Sequence, residues 1–315
     1  MRPFRYQRAR DAGDAVALLA GEPEAKFLGG GTNLVDLMRL GVEAPTLLVD
    51  VSQLAHDRIE DGANGGLWIG AAVTNSALAA NARVRHDYPV LSEALLNGAS
   101  GQLRNKATVG GNLLQRTRCL YFQDVTKPCN KRAPGSGCPA REGLHRDLAI
   151  FGHSEHCVAT HPSDMAVALS ALDAVIHTDT RSIPINDFYR LPGDEPQRDT
   201  VLGHGELITA VELPAGGQPS LYRKARERRS FAFALVSLAA VRDGDEVRIA
   251  LGGVAHRPWR ATRAEQVLRG GPLTKQRAIE AARAELERAT ALRDNSYKVP
   301  LARNMIVRAV LELAP

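Results

Sequence analysis

Short apolar runs separated by glycine-rich breaks fill the first two thirds of the chain, and longer amphipathic patterns close it. Phe4-Arg5-Tyr6 reads as a short strand, and Asp11 caps a helix through Asp14 to Leu19 that Gly21 ends. Ala25-Lys26-Phe27-Leu28 reads as a buried strand running into Gly29-Gly30-Gly31-Thr32-Asn33-Leu34, with a helix following through Val35-Asp36-Leu37-Met38. Thr46 to Val51 and Gly66 to Ala72 are further strands, and Thr74 caps the helix after the second. An apolar helix covers Val90 to Ala99 and is ended by Gly101, and a second glycine turn spans Thr108 to Asn112. After Asp164, which reads as a helix N-cap, come a helix through Ala166 and Leu169, a strand at Asp173 to His177 and an alternating strand at Leu207 to Leu213.

Pro214-Ala215-Gly216-Gly217-Gln218-Pro219 then reads as a linker. Beyond it, Ala234 to Val241 and Val247 to Val254 predict antiparallel strands around Arg242-Asp243-Gly244-Asp245. Three helices follow. Thr262 with Glu265 forms the pattern of a capping box for the first, the second covers about Lys275 to Thr290, and the third about Leu301 to Leu313. The expected organisation is α+β: residues 1–214, with an insertion at about 115–160, followed by a smaller domain over 220–315.

The composition excludes several classes. With 315 residues the chain has ample core for two domains; 44% of it is apolar and 24% charged, as in ordinary globular proteins. No run approaches the ~18 apolar residues of a membrane span, and the basic start lacks the apolar run of a secretory signal. The net charge of +5 includes a local cluster at Arg223, Lys224, Arg226, Arg228 and Arg229, which reads as a solvated surface or an anion or acidic-partner site. No motif or basic–aromatic stripe accompanies it, so nucleic acid is not an expected partner.

Chemistry concentrates in two places. A strand, a glycine turn and a helix start, as at residues 25–38, present backbone N–H groups to an anion, and glycine lets the backbone approach it. Two such turns suggest a ligand with two ends, such as a dinucleotide. All four cysteines (Cys119, Cys129, Cys138 and Cys157) fall in one loop-like window rich in proline and glycine. Such a window has little core of its own, and bound metal would staple it. The cysteines are 10, 9 and 19 positions apart, with no compact CxxC pair. From spacing alone, zinc and an iron–sulfur cluster are close rivals. His153, His156 and His161 surround Cys157 but read as surface or supporting residues, and Arg116, Arg118, Lys131 and Arg132 as charges that offset a negative cluster or as a solvated face.

Three segments together carry a resemblance: residues 26–34, Ala107-Thr108-Val109-Gly110-Gly111-Asn112-Leu113 and Pro162-Ser163-Asp164. They resemble the FAD-binding subunits of the xanthine dehydrogenase and carbon monoxide dehydrogenase family. Tyr222-Arg223-Lys224 and Leu251-Gly252-Gly253-Val254-Ala255 look like the second domain of those subunits. The cysteine insertion departs from most of the family and is similar to the aldehyde oxidoreductase branch, whose flavin subunit carries an extra 4Fe-4S cluster. The flavin subunit of 4-hydroxybenzoyl-CoA reductase is similar in this respect.

The resemblance implies a PCMH-type FAD-binding domain of two α/β subdomains and a C-terminal domain of the CO dehydrogenase flavoprotein type. By it, Lys26, Phe27, Leu28, Gly29, Gly30, Gly31, Thr32, Asn33 and Leu34 wrap the FAD pyrophosphate and ribityl chain, and Thr108, Gly111 and Asn112 continue the cradle. Asp164 meets a flavin hydroxyl, and Lys224 stands at the flavin edge or is a solvated strand lysine. Cys119, Cys129, Cys138 and Cys157 hold the cluster, and no residue is a catalytic acid, base or nucleophile. The implied partners are a large subunit with a molybdenum cofactor and a small one with two 2Fe-2S clusters, in a heterotrimer that passes aldehyde electrons to an external acceptor. Rival readings are a CoA-thioester or purine enzyme of the same family, a zinc-binding interaction protein and a stand-alone flavin oxidase. The expected location is the periplasm, by export with a signal-bearing partner, or otherwise the cytoplasm.

Overall fold

The computed structural model describes residues 1–314; Pro315, the last residue of the expected second domain, lies outside the described residues. β1 (Arg5–Arg8) leads through α1 (Ala12–Ala20) to β2 (Lys26–Leu28), and α2 (Leu34–Arg39) precedes β3 (Leu47–Asp50). The three strands form a parallel sheet in the order β1-β3-β2, as helical crossovers require. Asp11 caps α1 by accepting from the Asp14 amide at 2.8 Å. β3 is buried along its length, but β2 is only half-buried, because it is an edge strand whose residues line a cleft.

The second unit contains β4 (Ile59–Asp61), β5 (Leu67–Gly70), α3 (Asn75–Ala80), α4 (Ala82–Asp87), α5 (Pro89–Asn97), α6 (Gly101–Arg104), α7 (Val109–Leu113), α8 (Leu120–Gln123) and α9 (Asp164–Ala171). β6 (Val175–Thr178), β7 (Ser182–Pro184), α10 (Ile185–Phe188) and β8 (Ile208–Leu213) complete it. Its sheet is antiparallel, in the order β4-β5-β8-β6-β7. Two boundaries differ from expectation. Gly98, not Gly101, ends α5, and Gly101 opens α6. The second glycine turn is the first turn of α7, capped by Thr108.

In the third unit β9 (Ser220–Ala225), β10 (Val236–Asp243), β11 (Glu246–Gly252) and β12 (Trp259–Arg260) form an antiparallel sheet, followed by α11 (Thr262–Leu268), α12 (Lys275–Leu286) and α13 (Lys298–Glu312). The β10–β11 hairpin pairs Asp243 with Glu246 across Gly244, whose φ of +58° suits glycine. The expected capping box does not form. Thr262 lies inside α11, and Glu265 accepts from the Ile249 amide at 2.8 Å. The fully buried Glu285 of α12 satisfies the helix start instead, accepting from the amides of Arg263 (2.9 Å) and Ala264 (3.3 Å) and from Trp259 Nε1 (2.9 Å). A tertiary carboxylate thus replaces the local one.

α9 is buried on all sides because it packs against α5 on one flank and β10 and β11 on another. The start of α9 therefore sits where the second and third units meet. The cysteine segment, mostly loop, has more core than its composition suggests. Phe122, Leu148 and Val158 pack with Cys119 and Cys157, while Ile150 and Phe151 enter the core of the third unit, where Phe151 stacks on Trp259 at 4.7 Å. Among the described residues, no helix is long and apolar enough to cross a membrane.

Candidate functional site

Two cavities, of about 500 and 390 Å³, meet at Thr32, Asn33 and Gly111, which line both. Residues 26–34 all line the larger cavity, with Thr108 opposite. Asn112, Asp164 and Lys224 line the smaller one. The two glycine loops form the junction, and their glycines serve packing more than expected. A Cβ on Gly30 would lie 1.8 Å from the Lys106 carbonyl oxygen, and one on Gly29 would lie 2.9 Å from Thr108 Oγ1. The loops therefore close on each other rather than simply opening to a ligand. Gly31, at φ +73°, turns the chain from β2 into α2.

This junction has unspent hydrogen-bonding capacity. Among the described residues, the backbone amides of residues 29–33 donate to no protein acceptor. Asn33 Nδ2 and Asn75 Oδ1 are buried without a protein partner and belong to residues that line the cleft. Buried polar groups are normally satisfied, so the cleft suits a long ligand rich in acceptors, with at least one donor. A dinucleotide has that character.

Other expected cradle residues line the cavities and also bond within the protein. Thr108 Oγ1 accepts from the Gly111 amide at 3.2 Å, so both groups are engaged in capping α7. Asn112 Oδ1 accepts from Ser163 Oγ at 2.6 Å and Gln115 Nε2 at 2.7 Å. Ser163, in turn, is the N-cap of α9, accepting from the Ala166 amide at 3.0 Å. Asp164 is the first helical residue rather than the cap. Asn112 thereby holds the start of α9 against α7.

Asp164 and Lys224 are brought together. Lys224 Nζ donates to Asp164 Oδ2 at 2.7 Å and to the Asn97 carbonyl at 3.1 Å, and Tyr222 OH donates to Asp164 Oδ1 at 2.5 Å. Burial pushes the Asp164 carboxyl up, against the pull of Lys224 and Tyr222. Lys224 is thus a buried, paired cation, neither solvated nor free. The side chains of Lys224 and Asp164 are only 2% and 8% exposed. Asp164→Ala is expected to destabilise the fold by about 3–5 kcal/mol by leaving the ammonium unpaired. A lower urea midpoint would register this loss, whereas an unchanged midpoint would mean that water replaces the carboxylate.

The four cysteines ring one small pocket beside the cleft, with Phe122 and Lys131 among its walls. Nearby backbone amides favour the thiolate forms: those of Tyr121 and Phe122 at Cys119, of Ala140, Arg141 and Val158 at Cys138, and of Ala159 at Cys157. Burial still pushes the Cys119 thiol up to about 11. Cys138 is pulled down to about 6, chiefly because the Cys157 thiol donates to it; Cys157 is raised by the same bond and by burial. Among the described residues, no three His, Cys, Asp or Glu side chains form a site for a single metal ion. A ring of four thiols is the donor set that could hold an iron–sulfur cluster, whose thiolates nearby amides stabilise.

The surrounding charges divide by role. Arg132 Nη1 donates to the carbonyls of Tyr121 (2.6 Å) and Phe122 (2.5 Å), and Asn130 Oδ1 accepts from the Gly137 amide at 2.7 Å. Protein groups therefore staple the segment in addition to any metal. Arg118 lies over the Phe233 ring at 5.0 Å. His153 reaches the Thr290 carbonyl from a half-buried position, the exposed His156 faces Asp194, and His161 is half-buried against Tyr189 with its pKa lowered by desolvation to about 4. The sequence reading missed His256. It follows β11, and its Nε2 lies 3.1 Å from Cys157 Sγ. No spacing signal connects positions 157 and 256.

Comparison with known proteins agrees with this architecture. The family model described as the FAD binding domain in molybdopterin dehydrogenase matches residues 2–216, and the CO dehydrogenase flavoprotein C-terminal domain matches residues 220–313. The aldehyde oxidoreductase FAD-binding subunit PaoB of Escherichia coli (strain K12) is 51% identical, covering 99% of this chain and 98% of that protein. The carbon monoxide dehydrogenase medium chain of Hydrogenophaga pseudoflava is 27% identical, covering 98% of this chain and 96% of its own. A solved structure of carbon monoxide dehydrogenase from Hydrogenophaga pseudoflava superimposes with a TM-score of 0.76 at 25% identity, over 100% of both chains. With both halves matched in order, the chain belongs to the FAD-binding subunits of the molybdopterin dehydrogenases, the xanthine dehydrogenase family.

Proposed function

We propose that this chain is the electron-transfer flavoprotein subunit of a molybdenum-containing aldehyde oxidoreductase, carrying FAD and a 4Fe-4S cluster. The full-length 51% identity to an aldehyde oxidoreductase FAD-binding subunit carries this reading. The cysteine ring supports the cluster.

Bound FAD supplies the conversion between single electrons and electron pairs, linking 2Fe-2S clusters of a small partner to an external acceptor. The protein's part is to bind and orient. The free amides of residues 29–33 suit the pyrophosphate, and Asn33 and Asn75 add side-chain contacts at the junction. Asp164, held by Tyr222 and Lys224, presents a carboxylate to a flavin hydroxyl, while Lys224 brings positive charge to the same end. Cys119, Cys129, Cys138 and Cys157 ligate the cluster. Aldehyde oxidation belongs to a large molybdenum-cofactor subunit in a heterotrimer, and export to the periplasm with a signal-bearing partner completes the reading.

The test is purification with the partners under anaerobic conditions, followed by assay of iron, acid-labile sulfide, zinc, FAD and aldehyde-dependent reduction of an artificial acceptor. The reading expects one FAD with about four irons and four sulfides in this chain, and acceptor reduction that stops when this chain is omitted. Zinc without labile sulfide would overturn the cluster assignment, and activity on xanthine but not on aldehydes would overturn the substrate class.

A further inference from the structure

A chain of ion pairs runs from the nucleotide cradle to the cysteine pocket. Lys26 Nζ lies 2.6 Å from Glu43 Oε2, and Glu43 Oε1 accepts from Arg116 Nη1 at 2.7 Å. Arg116 Nε lies 2.7 Å from Asp199 Oδ2 as a charge contact in which neither atom makes a hydrogen bond, and Asp199 Oδ1 accepts from Lys131 Nζ at 2.5 Å. Lys26, Glu43 and Arg116 line the larger cavity, whereas Lys131 lines the cysteine pocket.

Asp199 is the central member. A quarter of its side chain is exposed (26%), but Oδ2 is sealed from solvent, and the Lys131 side chain is 2% exposed. The two cations hold its carboxyl below the usual carboxylate range against the opposing effect of burial. Both cations come from the cysteine segment, one at its start and one beside Cys129. Arg116 is also tied to the cradle by its backbone, since its amide donates to Asn33 Oδ1 at 2.8 Å and leaves Asn33 Nδ2 as the unpartnered group. Buried ion pairs fix register more than they add net stability. This partly buried pair and the Arg116 amide together tie the cysteine loop to Asp199 and Asn33.

We propose that Asp199 is a positioning residue that couples the two cofactor sites, so that a loaded cysteine pocket tightens FAD binding through Lys131, Asp199, Arg116 and Asn33. The inference rests on the reading that the cysteines hold a cluster. Coupling of this kind is reciprocal, so FAD also protects the cluster.

The experiment measures FAD affinity of the full chain, by flavin fluorescence, in a four-way cycle: loaded wild type, Cys129→Ser, Asp199→Asn and the double variant. Iron and sulfide are assayed in each. Emptying the pocket is expected to weaken FAD about tenfold when Asp199 is present, and less than about twofold when it is Asn. The same tenfold loss in both backgrounds, or none with Asp199 present, would overturn the coupling. If Asp199→Asn does not fold or retain iron, Arg116→Gln, which leaves the Asp199–Lys131 pair intact, is read in its place with the same expectation. Wild type without iron or sulfide would instead reject the underlying cluster assignment, a result separable from an additive cycle in loaded protein.

Discussion

Gly30→Ala is expected to weaken FAD binding at least about tenfold while leaving a folded chain. The added Cβ would lie 1.8 Å from the Lys106 carbonyl oxygen, 2.6 Å from its carbon and 3.0 Å from Ala107 Cα. All three are backbone atoms, so no side chain can rotate away. Overpacking usually costs about 1–3 kcal/mol, and here the relief available is separation of the two loops that form the cleft junction. That separation moves the amides of residues 29–33 relative to Gly111 and Thr108. About 1.4 kcal/mol of misplacement is already tenfold in affinity. Gly101→Ala is the control, because nothing lies within 4 Å of its added Cβ and its φ is ordinary. FAD affinity of the purified variants, by flavin fluorescence, is the measurement; unchanged affinity in Gly30→Ala would mean that the loop contact is dispensable for the cradle.

On the proposed cluster assignment, Cys129→Ser is expected to remove the iron and sulfide from the chain, and with them the EPR signal of the dithionite-reduced protein. Cys129 is the informative position because its backbone is fixed without metal. Its amide donates to Ser136 Oγ at 3.0 Å, and its carbonyl accepts from the amides of Arg132 (3.0 Å) and Ala133 (2.8 Å). It is also half-buried, while Cys119 and Cys157 are core residues whose replacement would disturb packing. A hydroxyl is a poor replacement for a thiolate ligand, so the cluster is lost and the loop remains. FAD should still bind when supplied, with reduced affinity. Retention of iron in Cys129→Ser would remove this residue from the ligand set.

Local signals determined much of the outline. The strands at residues 47–50 and 208–213, the caps Asp11 and Thr74, and the hairpin at Gly244 follow from periodicity and turn chemistry, which act over a few residues. The confinement of four cysteines to one window, and the motifs at residues 26–34, 107–113 and 162–164, made both candidate sites legible, because each is compact in sequence. Tertiary structure alone decided what lies opposite each residue. It replaced the Thr262–Glu265 box with Glu285, gave Lys224 the buried Asp164 as its partner, and put Gly30 against Lys106. It also placed His256 beside Cys157 and joined Glu43, Arg116, Asp199 and Lys131 into one chain of charges. Apart from Glu285 and Arg263, 22 positions apart, these partners stand 60 or more positions apart, and their meeting depends on how three sheets and an irregular segment pack. Burial then decides what each meeting is worth, since an ion pair or a thiol removed from water must be satisfied by whatever the fold brings to it.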